Sequence, residues 1–387
     1  MMRSTSFHRL LMCVLAFVAN QVTAAVPPAP KLPADAYFLM DATTGQVLVD
    51  HNGDLSLPPA SLTKIMTSYV LAEEVDAGRA SLDDMIKVSR NAWSQNPTFK
   101  GSSLMWIEPG KPVSLADLER GVVISSGNDA SVAVAEHLAG TESSFVDVMN
   151  QLAAELGLDN TVYRNPHGLP HPEHRTTARD LATLSVALIN GHPEHYKIYK
   201  EQSFTYNGIK QYNRNSLLRS DATVDGLKTG YTSEAGYGLV ASAQREDMRL
   251  VSVVLGSASK RTRASENSSL LNHGFRFFQN LRPLSAEVTL VEPRVWKGAA
   301  ESLHAGVLES VVLTVPRERT SADIKLAVDE QLEAPLSRGD VIGSVQVVRG
   351  GEVLFETPLQ VLEDVPSGGF FKRLIDALIL WFQNLVG

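Results

Sequence analysis

Two side chains near the start of the sequence have the types and spacing of a nucleophile and its base. Ser61 and Lys64 follow a Pro-Pro-Ala turn, and the pattern over residues 65–77 predicts a helix that ends at Gly78. Residues three apart on a helix share one face, so the serine hydroxyl can reach the lysine amine. The lysine can take the hydroxyl proton if its surroundings lower its pKa. The same spacing is also typical of a solvated helix start, so other residues must decide between a catalytic pair and an ordinary helix start.

Two further motifs supply groups that such a serine would need. Ser126-Gly-Asn128 follows an apolar stretch that ends at Ile124, and Lys228-Thr-Gly230 lies at the start of two predicted strands. The order Ser-x-x-Lys, Ser-x-Asn, Lys-Thr-Gly is found in penicillin-binding proteins and serine β-lactamases. Each motif alone is weak, whereas three in this order at helix and strand edges strongly favour acyl transfer.

The motif residues suggest a division of catalytic work. We expect Ser61 to attack a carbonyl carbon, Lys64 to accept its proton, and Ser126 to relay that proton to the leaving amine. Lys228 would keep the site positive during these steps. The backbone N–H groups of Ser61 and Tyr231 are the natural pair of donors to a developing oxyanion.

The remaining motif residues suit substrate binding. The amide of Asn128 can hydrogen-bond a peptide group, while Thr229 and Lys228 can hold a terminal carboxylate by hydroxyl and by charge. Gly230 allows the strand backbone to approach the substrate closely. These groups predict a peptide substrate with a free carboxyl terminus.

The chain resembles the low-molecular-mass penicillin-binding proteins, the serine-type D-alanyl-D-alanine carboxypeptidases of the periplasm. The resemblance covers nearly all of the chain after the signal sequence. Beyond the three motifs it rests on these runs: Asp41–Gly45, Pro59–Met66, Gly101–Ser103, Gly127–Ala130, Asn165–Gly168, Thr177–Asp180, Tyr212–Asn215, Asp225–Gly230 and Gly274–Phe278.

This resemblance implies the reaction and its partners. The enzyme would remove the terminal D-alanine from peptidoglycan pentapeptide stems that end in D-Ala-D-Ala, and so act in cell-wall remodelling and cell shape. β-Lactam antibiotics would be covalent inhibitors, and no cofactor would be needed. Arg214 matches an arginine that helps hold the substrate carboxylate. Two departures from the family pattern are Tyr231, where histidine is expected, and the segment 170–174.

Two other functions share parts of this pattern. A class A β-lactamase needs a glutamate in a Glu-x-x-Leu-Asn run before Lys-Thr-Gly, and no such run lies between Asn128 and Lys228. A non-catalytic wall-binding protein of the same fold would not need all three motifs intact. We therefore favour the peptidase over both.

The order of predicted elements indicates an α+β domain, residues 25–282, of the penicillin-binding and serine β-lactamase type, with helices around an antiparallel sheet. Its predicted elements are strands at 36–40, 46–49, 237–243 and 249–256, and helices at 114–124, 130–156 (broken at Gly140), 179–190 and 264–281. Residues 283–365 predict a small all-β sandwich, with strands at 288–291, 311–315, 324–328, 344–348 and 353–357 and a Gly350-Gly351 hairpin turn.

Both ends of the chain carry targeting patterns. Residues 1–24 combine Arg3 and Arg9, a short apolar run and small residues before Ala25, which is typical of a secretory signal. Residues 368–387 predict an amphipathic helix with Lys372, Arg373 and Asp376 on its polar side. We expect an exported protein held on the periplasmic face of the inner membrane. The alternative is a terminal helix that packs on the protein's own core.

Composition excludes several other classes. The net charge of −8 gives no basic surface for nucleic acid, and the single cysteine, Cys13, lies inside the predicted signal sequence. His167, His171 and His174 are close in sequence, but two prolines separate them, which favours a surface loop over a metal site. No metal is expected. We expect Asp129 and Asp180 to order loops rather than take part in the chemistry.

Overall fold

The computed structural model describes residues 26–317 and 321–386 of the 387-residue chain. The predicted signal sequence, residues 1–24, lies outside the described residues. A sheet flanked by helices comes first, followed by a β-rich region and a terminal helix.

The described helices and strands alternate along the first region and then give way to strands. The helices are α1 (Lys64–Asp76), α2 (Leu115–Arg120), α3 (Asn128–Ala139), α4 (Glu142–Glu155), α5 (Ala178–Gly191), α6 (Pro193–Tyr196), α7 (Leu217–Ser220), α8 (Lys260–Phe277) and α9 (Phe370–Val386). The strands are β1 (Ala36–Asp41), β2 (Val47–His51), β3 (Met85–Lys87), β4 (Pro112–Ser114), β5 (Ser203–Tyr206), β6 (Ile209–Tyr212), β7 (Val224–Thr232), β8 (Gly236–Arg245), β9 (Met248–Ser257), β10 (Phe278–Leu284), β11 (Val295–Trp296), β12 (Ala305–Gly306), β13 (Val311–Pro316), β14 (Asp323–Val328), β15 (Leu332–Glu333), β16 (Val341–Arg349) and β17 (Glu352–Val361).

An antiparallel five-stranded sheet, in the order β2-β1-β9-β8-β7, forms the centre of the first region. Alternate side chains of a strand point to opposite faces, and helices cover both faces here. Phe38 and Val253 pair across β1 and β9 and pack with α1, α3 and α5. Their neighbours Leu39 and Val254 pack on the other face with α8. The predicted α+β class, an antiparallel sheet with helices, is confirmed.

Capping residues place several helix ends where the sequence predicted them. The Ser114 hydroxyl accepts the N–H of Asp117 at 3.1 Å and starts α2. Gly78 after α1 and Gly140 after α3 have φ of +70° and +79°, which glycine adopts without steric penalty. The helix predicted to reach Ile124 ends its α-helical part at Arg120, and residues 121–125 continue as a π-helical turn.

Two predictions near the start of the β-rich region are wrong. The helix predicted to continue to Leu281 ends at Phe277, and β10 follows, paired with β13. This strand starts before the predicted domain boundary at residue 282. Its pairing with a distant segment overrides the local helical pattern. The run 288–291 is not a strand of the described chain, although Val291 bridges to Ala305.

The β-rich region is built on a four-stranded sheet in the order β12-β17-β16-β14. Val345 and Val347 of β16 and Leu359 of β17 are fully buried in its core. Gly350 and Gly351 connect β16 to β17 with φ of +54° and +88°, which confirms the predicted hairpin turn. The β-rich second domain that the sequence predicted is therefore present.

The terminal helix α9 turns its apolar side away from the protein. Its large exposed side chains are Phe370, Phe371, Leu374, Ile375, Leu378, Ile379, Trp381 and Phe382. Asp376, predicted on the polar side of the helix, lies on the side that faces the protein, where it is buried and its carboxylate accepts the N–H of Lys297 at 2.7 Å. Leu380 is buried one turn further along. Across the described residues, we find no helix with both the length and the hydropathy to cross a bilayer.

Candidate active site

Ser61 lies in a single 3-10 turn, Ala60–Thr63, directly before α1. Ala60 has a φ of +49°, in the left-handed region that residues with a Cβ rarely adopt. Lys64 is the first residue of α1, and its side chain is fully buried. The sequence placed the serine at the start of this helix, and the structure confirms that placement.

The amine of Lys64 is held by two short hydrogen bonds. Its Nζ donates to Asn128 Oδ1 at 2.7 Å and to the carbonyl oxygen of His167 at 2.6 Å, and lies 3.4 Å from Ser61 Oγ. Burial and, to a smaller extent, the charge of Arg214 lower the pKa of Lys64 to about 7, against the opposing effect of Asp129. A neutral amine has two hydrogens, so its lone pair is left for the serine hydroxyl.

The second serine is paired with the second lysine. Ser126 follows the π-helical turn in a left-handed conformation, with a φ of +59°, and is buried. The Nζ of Lys228 donates to Ser126 Oγ at 2.8 Å and to the Thr229 carbonyl oxygen at 3.2 Å. Burial, followed by the charges of Lys64 and Arg214, holds the pKa of Lys228 well below its usual value.

Asp129 fixes the loop that forms one wall of the site. Its carboxylate accepts the backbone N–H groups of Met105, Trp106 and Ile107 at 2.8–3.2 Å. Burial raises the pKa of Asp129, although these hydrogen bonds act to lower it. The prediction that Asp129 orders a loop is confirmed. Asp180 likewise accepts a hydrogen bond from the Thr161 hydroxyl at 2.6 Å.

Strand β7 passes very close to the turn that carries Ser61. A Cβ on Gly230 would lie 3.0 Å from the Pro59 carbonyl oxygen, so any larger residue here would require the serine turn to shift by a few tenths of an ångström. β7 is an edge strand of the central sheet, so one of its edges is available to an extended peptide. Tyr231, the next residue, stacks on Tyr237 of β8 with ring centroids 4.2 Å apart and is half exposed.

These elements meet around a cleft of about 470 Å³. Of the predicted residues, those that line it are Ser61, Ser126, Asn128, Arg214, Thr229, Gly230 and Tyr231. Lys64 and Lys228 lie beneath it, bonded to Asn128 and Ser126 respectively. The structure therefore brings together every residue that the sequence assigned to the site.

Sequence reasoning missed three groups of the site. The His167 carbonyl oxygen holds Lys64, Ser103 Oγ accepts a hydrogen bond from Arg214, and Arg263 donates to the carbonyl oxygen of Gly230. The run that contains Ser103 entered the sequence analysis only through the family resemblance, and His167 only through that resemblance and as one of three neighbouring histidines. Arg263 is one basic residue on a helix, and no local pattern distinguishes it from a solvated one.

The prediction of a surface loop for the three histidines is wrong for two of them. His167 and His174 are buried, whereas His171 is exposed. A neutral imidazole can be buried when it is hydrogen-bonded, and His174 Nε2 lies 2.9 Å from Thr63 Oγ1. The described residues contain no cluster of side chains suited to a metal ion.

The fold and the cleft together define a serine enzyme of the penicillin-binding type. A family model described as D-alanyl-D-alanine carboxypeptidase matches residues 21–259, and one for the C-terminal domain of penicillin-binding protein 5 matches residues 278–367. The chain belongs to the D-alanyl-D-alanine carboxypeptidase family, and it is a serine-type D-Ala-D-Ala carboxypeptidase.

Individual relatives agree with the family assignment. The chain is 45% identical to the D-alanyl-D-alanine carboxypeptidase DacC of Escherichia coli (strain K12), over 96% of this chain and 93% of that one. It is 42% identical to DacA of the same organism, over 94% and 91% of the two chains. The crystal structure of penicillin-binding protein 5 from Haemophilus influenzae has a TM-score of 0.81 at 41% identity, covering 88% of this chain and 99% of that chain.

Replacing Gly168 by alanine should destabilise the protein more than the same change at Gly157. Both residues have positive φ, +87° and +69°, so they share a backbone penalty of roughly 1–2 kcal/mol. A Cβ on Gly168 would lie 1.8 Å from the Ala60 carbonyl oxygen, whereas the described atoms leave the space around Gly157 open to 4 Å. Urea denaturation should show an additional loss of about 1–3 kcal/mol for Gly168→Ala. Equal losses would contradict the close packing.

Proposed function

We propose that the cleft removes the terminal D-alanine from peptidoglycan stems through an acyl-enzyme on Ser61. One observation carries this assignment of roles. Two short hydrogen bonds occupy the buried amine of Lys64, and its remaining side faces Ser61 Oγ at 3.4 Å. With a pKa of about 7, this amine is neutral in a large fraction of molecules at neutral pH and can act as the base.

Acylation transfers one proton around the site. Ser61 Oγ bonds to the carbonyl carbon of the penultimate D-alanine while its proton passes to Lys64 Nζ. When the tetrahedral intermediate collapses, the C–N bond to the terminal D-alanine breaks. The proton then reaches that nitrogen through Ser126 Oγ, which gives up one proton as it accepts another. The hydrogen bond from Lys228 at 2.8 Å orients the Ser126 hydroxyl for this relay.

The oxyanion of the intermediate needs preorganised donors. The backbone N–H groups of Ser61 and Tyr231 supply them in our proposal. The close approach of β7 to the serine turn at Gly230 supports this pairing because it brings the two backbones together beside the cleft. The donor from Tyr231 is a backbone group, so a tyrosine can stand where relatives are expected to have histidine.

The positive charge of the cleft suits a substrate with a free carboxylate. Arg214 and Arg263 line the cleft, Lys228 lies beneath it, and no carboxylate is among the described lining residues. We assign the terminal carboxylate of the substrate to Arg214, Lys228 and the hydroxyl of Thr229. Asn128 turns its amide oxygen to Lys64, which leaves its amide N–H groups for a substrate carbonyl.

Deacylation uses the same base. Water attacks the ester carbon, its proton passes to Lys64 Nζ, and the C–O bond to Ser61 breaks as the serine recovers a proton. The products are free enzyme and a stem shortened by one D-alanine. β-Lactams would acylate Ser61 by the same attack. This is supported by a similar crystal structure, 31% identical with a TM-score of 0.57, that holds ampicillin: penicillin-binding protein D2 of Listeria monocytogenes.

Ser61→Ala should remove both D-alanine release and labelling by a fluorescent penicillin, because the attacking oxygen is lost. We expect D-alanine release from a pentapeptide ending in D-Ala-D-Ala to fall at least about 1,000-fold. Ser265→Ala, which removes an exposed hydroxyl on α8, is the matched control and should keep both signals. A wild-type protein that releases no D-alanine would refute the function. Labelling that persists in Ser61→Ala would place the nucleophile elsewhere.

The acylation rate should rise with pH through about 7. Below the pKa of Lys64, about 7, the amine is protonated and cannot accept the serine proton. Above it the neutral form predominates and the rate should level off. Stopped-flow acylation by a chromogenic penicillin between pH 5 and pH 9 measures this midpoint. A rate that falls with rising pH over this range would exclude Lys64 as the base.

We propose that the protein is exported and lies on the periplasmic face of the inner membrane, held there by α9. The signal pattern of residues 1–24 supports export, and the peptidoglycan substrate lies outside the cytoplasm. The buried Asp376 and Leu380 support the anchor because they fix one side of α9 to the protein and leave its apolar side outward. A helix that served only to complete the core would bury its aromatic side chains.

Charges on the outer side of α9 should weaken membrane binding. Phe371 is 78% exposed and Leu378 is 52% exposed, and burying each in lipid is worth about 1.5–3 kcal/mol. The double variant Phe371→Glu/Leu378→Glu should therefore bind vesicles of phosphatidylethanolamine and phosphatidylglycerol at least about tenfold more weakly in flotation assays. Val341→Glu, on an exposed residue of β16, is the control. Equal binding by the double variant would refute the anchor.

A further inference from the structure

A buried chain of hydrogen bonds runs from His174 to the turn that carries Ser61. His174 Nε2 lies 2.9 Å from Thr63 Oγ1, and Thr63 Oγ1 donates to the Ala60 carbonyl oxygen at 2.8 Å. His174 is 2% exposed, and Thr63 is 1% exposed. The two side chains join residues that are 111 positions apart in the sequence.

The direction of these bonds fixes the state of the imidazole. Thr63 has one hydroxyl hydrogen and gives it to Ala60, so the bond from His174 must be donated by Nε2–H. His174 Nδ1 is buried and meets no hydrogen-bond partner among the described residues, which is consistent with an unprotonated nitrogen. Burial, followed by the charges of His171 and Arg164, lowers the pKa of His174 to about 3. The ring is therefore neutral throughout the pH range in which the enzyme is expected to work.

The chain of hydrogen bonds ends at Ala60, whose backbone conformation is strained. A φ of +49° costs a residue with a Cβ roughly 1–2 kcal/mol, so Ala60 needs neighbours that hold its conformation. Gly168, from the same loop as His174, also packs against the Ala60 carbonyl oxygen. This carbonyl belongs to the peptide group that joins Ala60 to Ser61, so its rotation would move the nucleophile.

We propose that His174 is a positioning residue for Ser61, acting through Thr63 and the carbonyl group of Ala60. This inference rests on the proposed role of Ser61 as the nucleophile. His174 is not among the residues that line the cleft and makes none of the hydrogen bonds of Lys64. It therefore acts on the direction of the serine hydroxyl, not on the base. The loop of residues 170–174, which departs from the family pattern, thus supplies part of the support for the active site.

Variants that break or keep the chain provide the test. His174→Leu and Thr63→Val remove the hydrogen bonds at similar size, whereas His174→Gln and Thr63→Ser keep a donor or a hydroxyl. His171→Gln, on the exposed histidine of the same loop, is the matched control. Stopped-flow acylation by a chromogenic penicillin separates the acylation rate constant from the dissociation constant of the complex that precedes it.

We expect the acylation rate constant to fall roughly 10- to 100-fold in His174→Leu and Thr63→Val, as a misplaced catalytic group does. The dissociation constant and the pH midpoint near 7 should stay unchanged because the contacts of Lys64 remain. His174→Gln, Thr63→Ser and His171→Gln should stay within about threefold of wild type. The double variant His174→Leu/Thr63→Val should be no slower than Thr63→Val alone, since both changes break one chain.

Three results would overturn the inference. The first is a wild-type acylation rate in His174→Leu, and the second is a multiplicative loss in the double variant. The third is a shift of the pH midpoint with no loss of acylation rate on the high-pH plateau, which would mean that His174 acts on the pKa of Lys64. If the broken variants do not fold, losses of well over threefold that are equal in the folded His174→Gln and His171→Gln proteins would also overturn it, because His171 lies outside the hydrogen-bond chain. Failure of wild type to be acylated would instead refute the proposed function.

Discussion

The burial of Lys64 is the constraint on which the rest of the structure depends. A lysine amine removed from water loses its preference for the charged form, and here its pKa falls to about 7. A carboxylate in direct contact would reverse that effect. Asp129, the acid whose charge opposes this shift, accepts hydrogen bonds from backbone N–H groups of the loop at 105–107, and neutral oxygens of Asn128 and His167 hold the amine instead.

Such a site requires backbone conformations that the chain would not adopt alone. Ala60 and Ser126 both have positive φ, each at a cost of roughly 1–2 kcal/mol, and both belong to the segments that carry the serine hydroxyls. Glycines make the supporting contacts possible. Gly168 lies against the Ala60 carbonyl, and Gly230 lets β7 approach the same turn. The strained conformation of Ala60 is thus held by packing from segments distant in sequence.

These long-range contacts also explain what the sequence could predict and what it could not. The three motifs could predict which residues meet at the cleft because the residue types suit acyl transfer and their order along the chain is typical of one family, and caps such as Ser114 are local signals. The extension of α8 beyond Phe277 was wrong because β10 forms only through pairing with β13. A helical wheel likewise places Asp376 with the polar residues. It cannot show that the polar side faces the protein, because the contact with Lys297 is also between segments distant in sequence.

The charges of the cleft place a limit on how the substrate can be bound. The pKa of Lys228 is held down by burial and by its cationic neighbours, so an arriving carboxylate would return Lys228 to its charged form. The same carboxylate would also raise the pKa of Lys64 and so lower the fraction of its amine that is neutral at a given pH. The electrostatic effect of the carboxylate falls with distance. A carboxylate next to Lys228 and Arg214, and away from Lys64, therefore allows Lys228 to be charged while Lys64 stays neutral. An exopeptidase has this geometry by nature, since the terminal carboxylate lies one residue beyond the bond that is attacked.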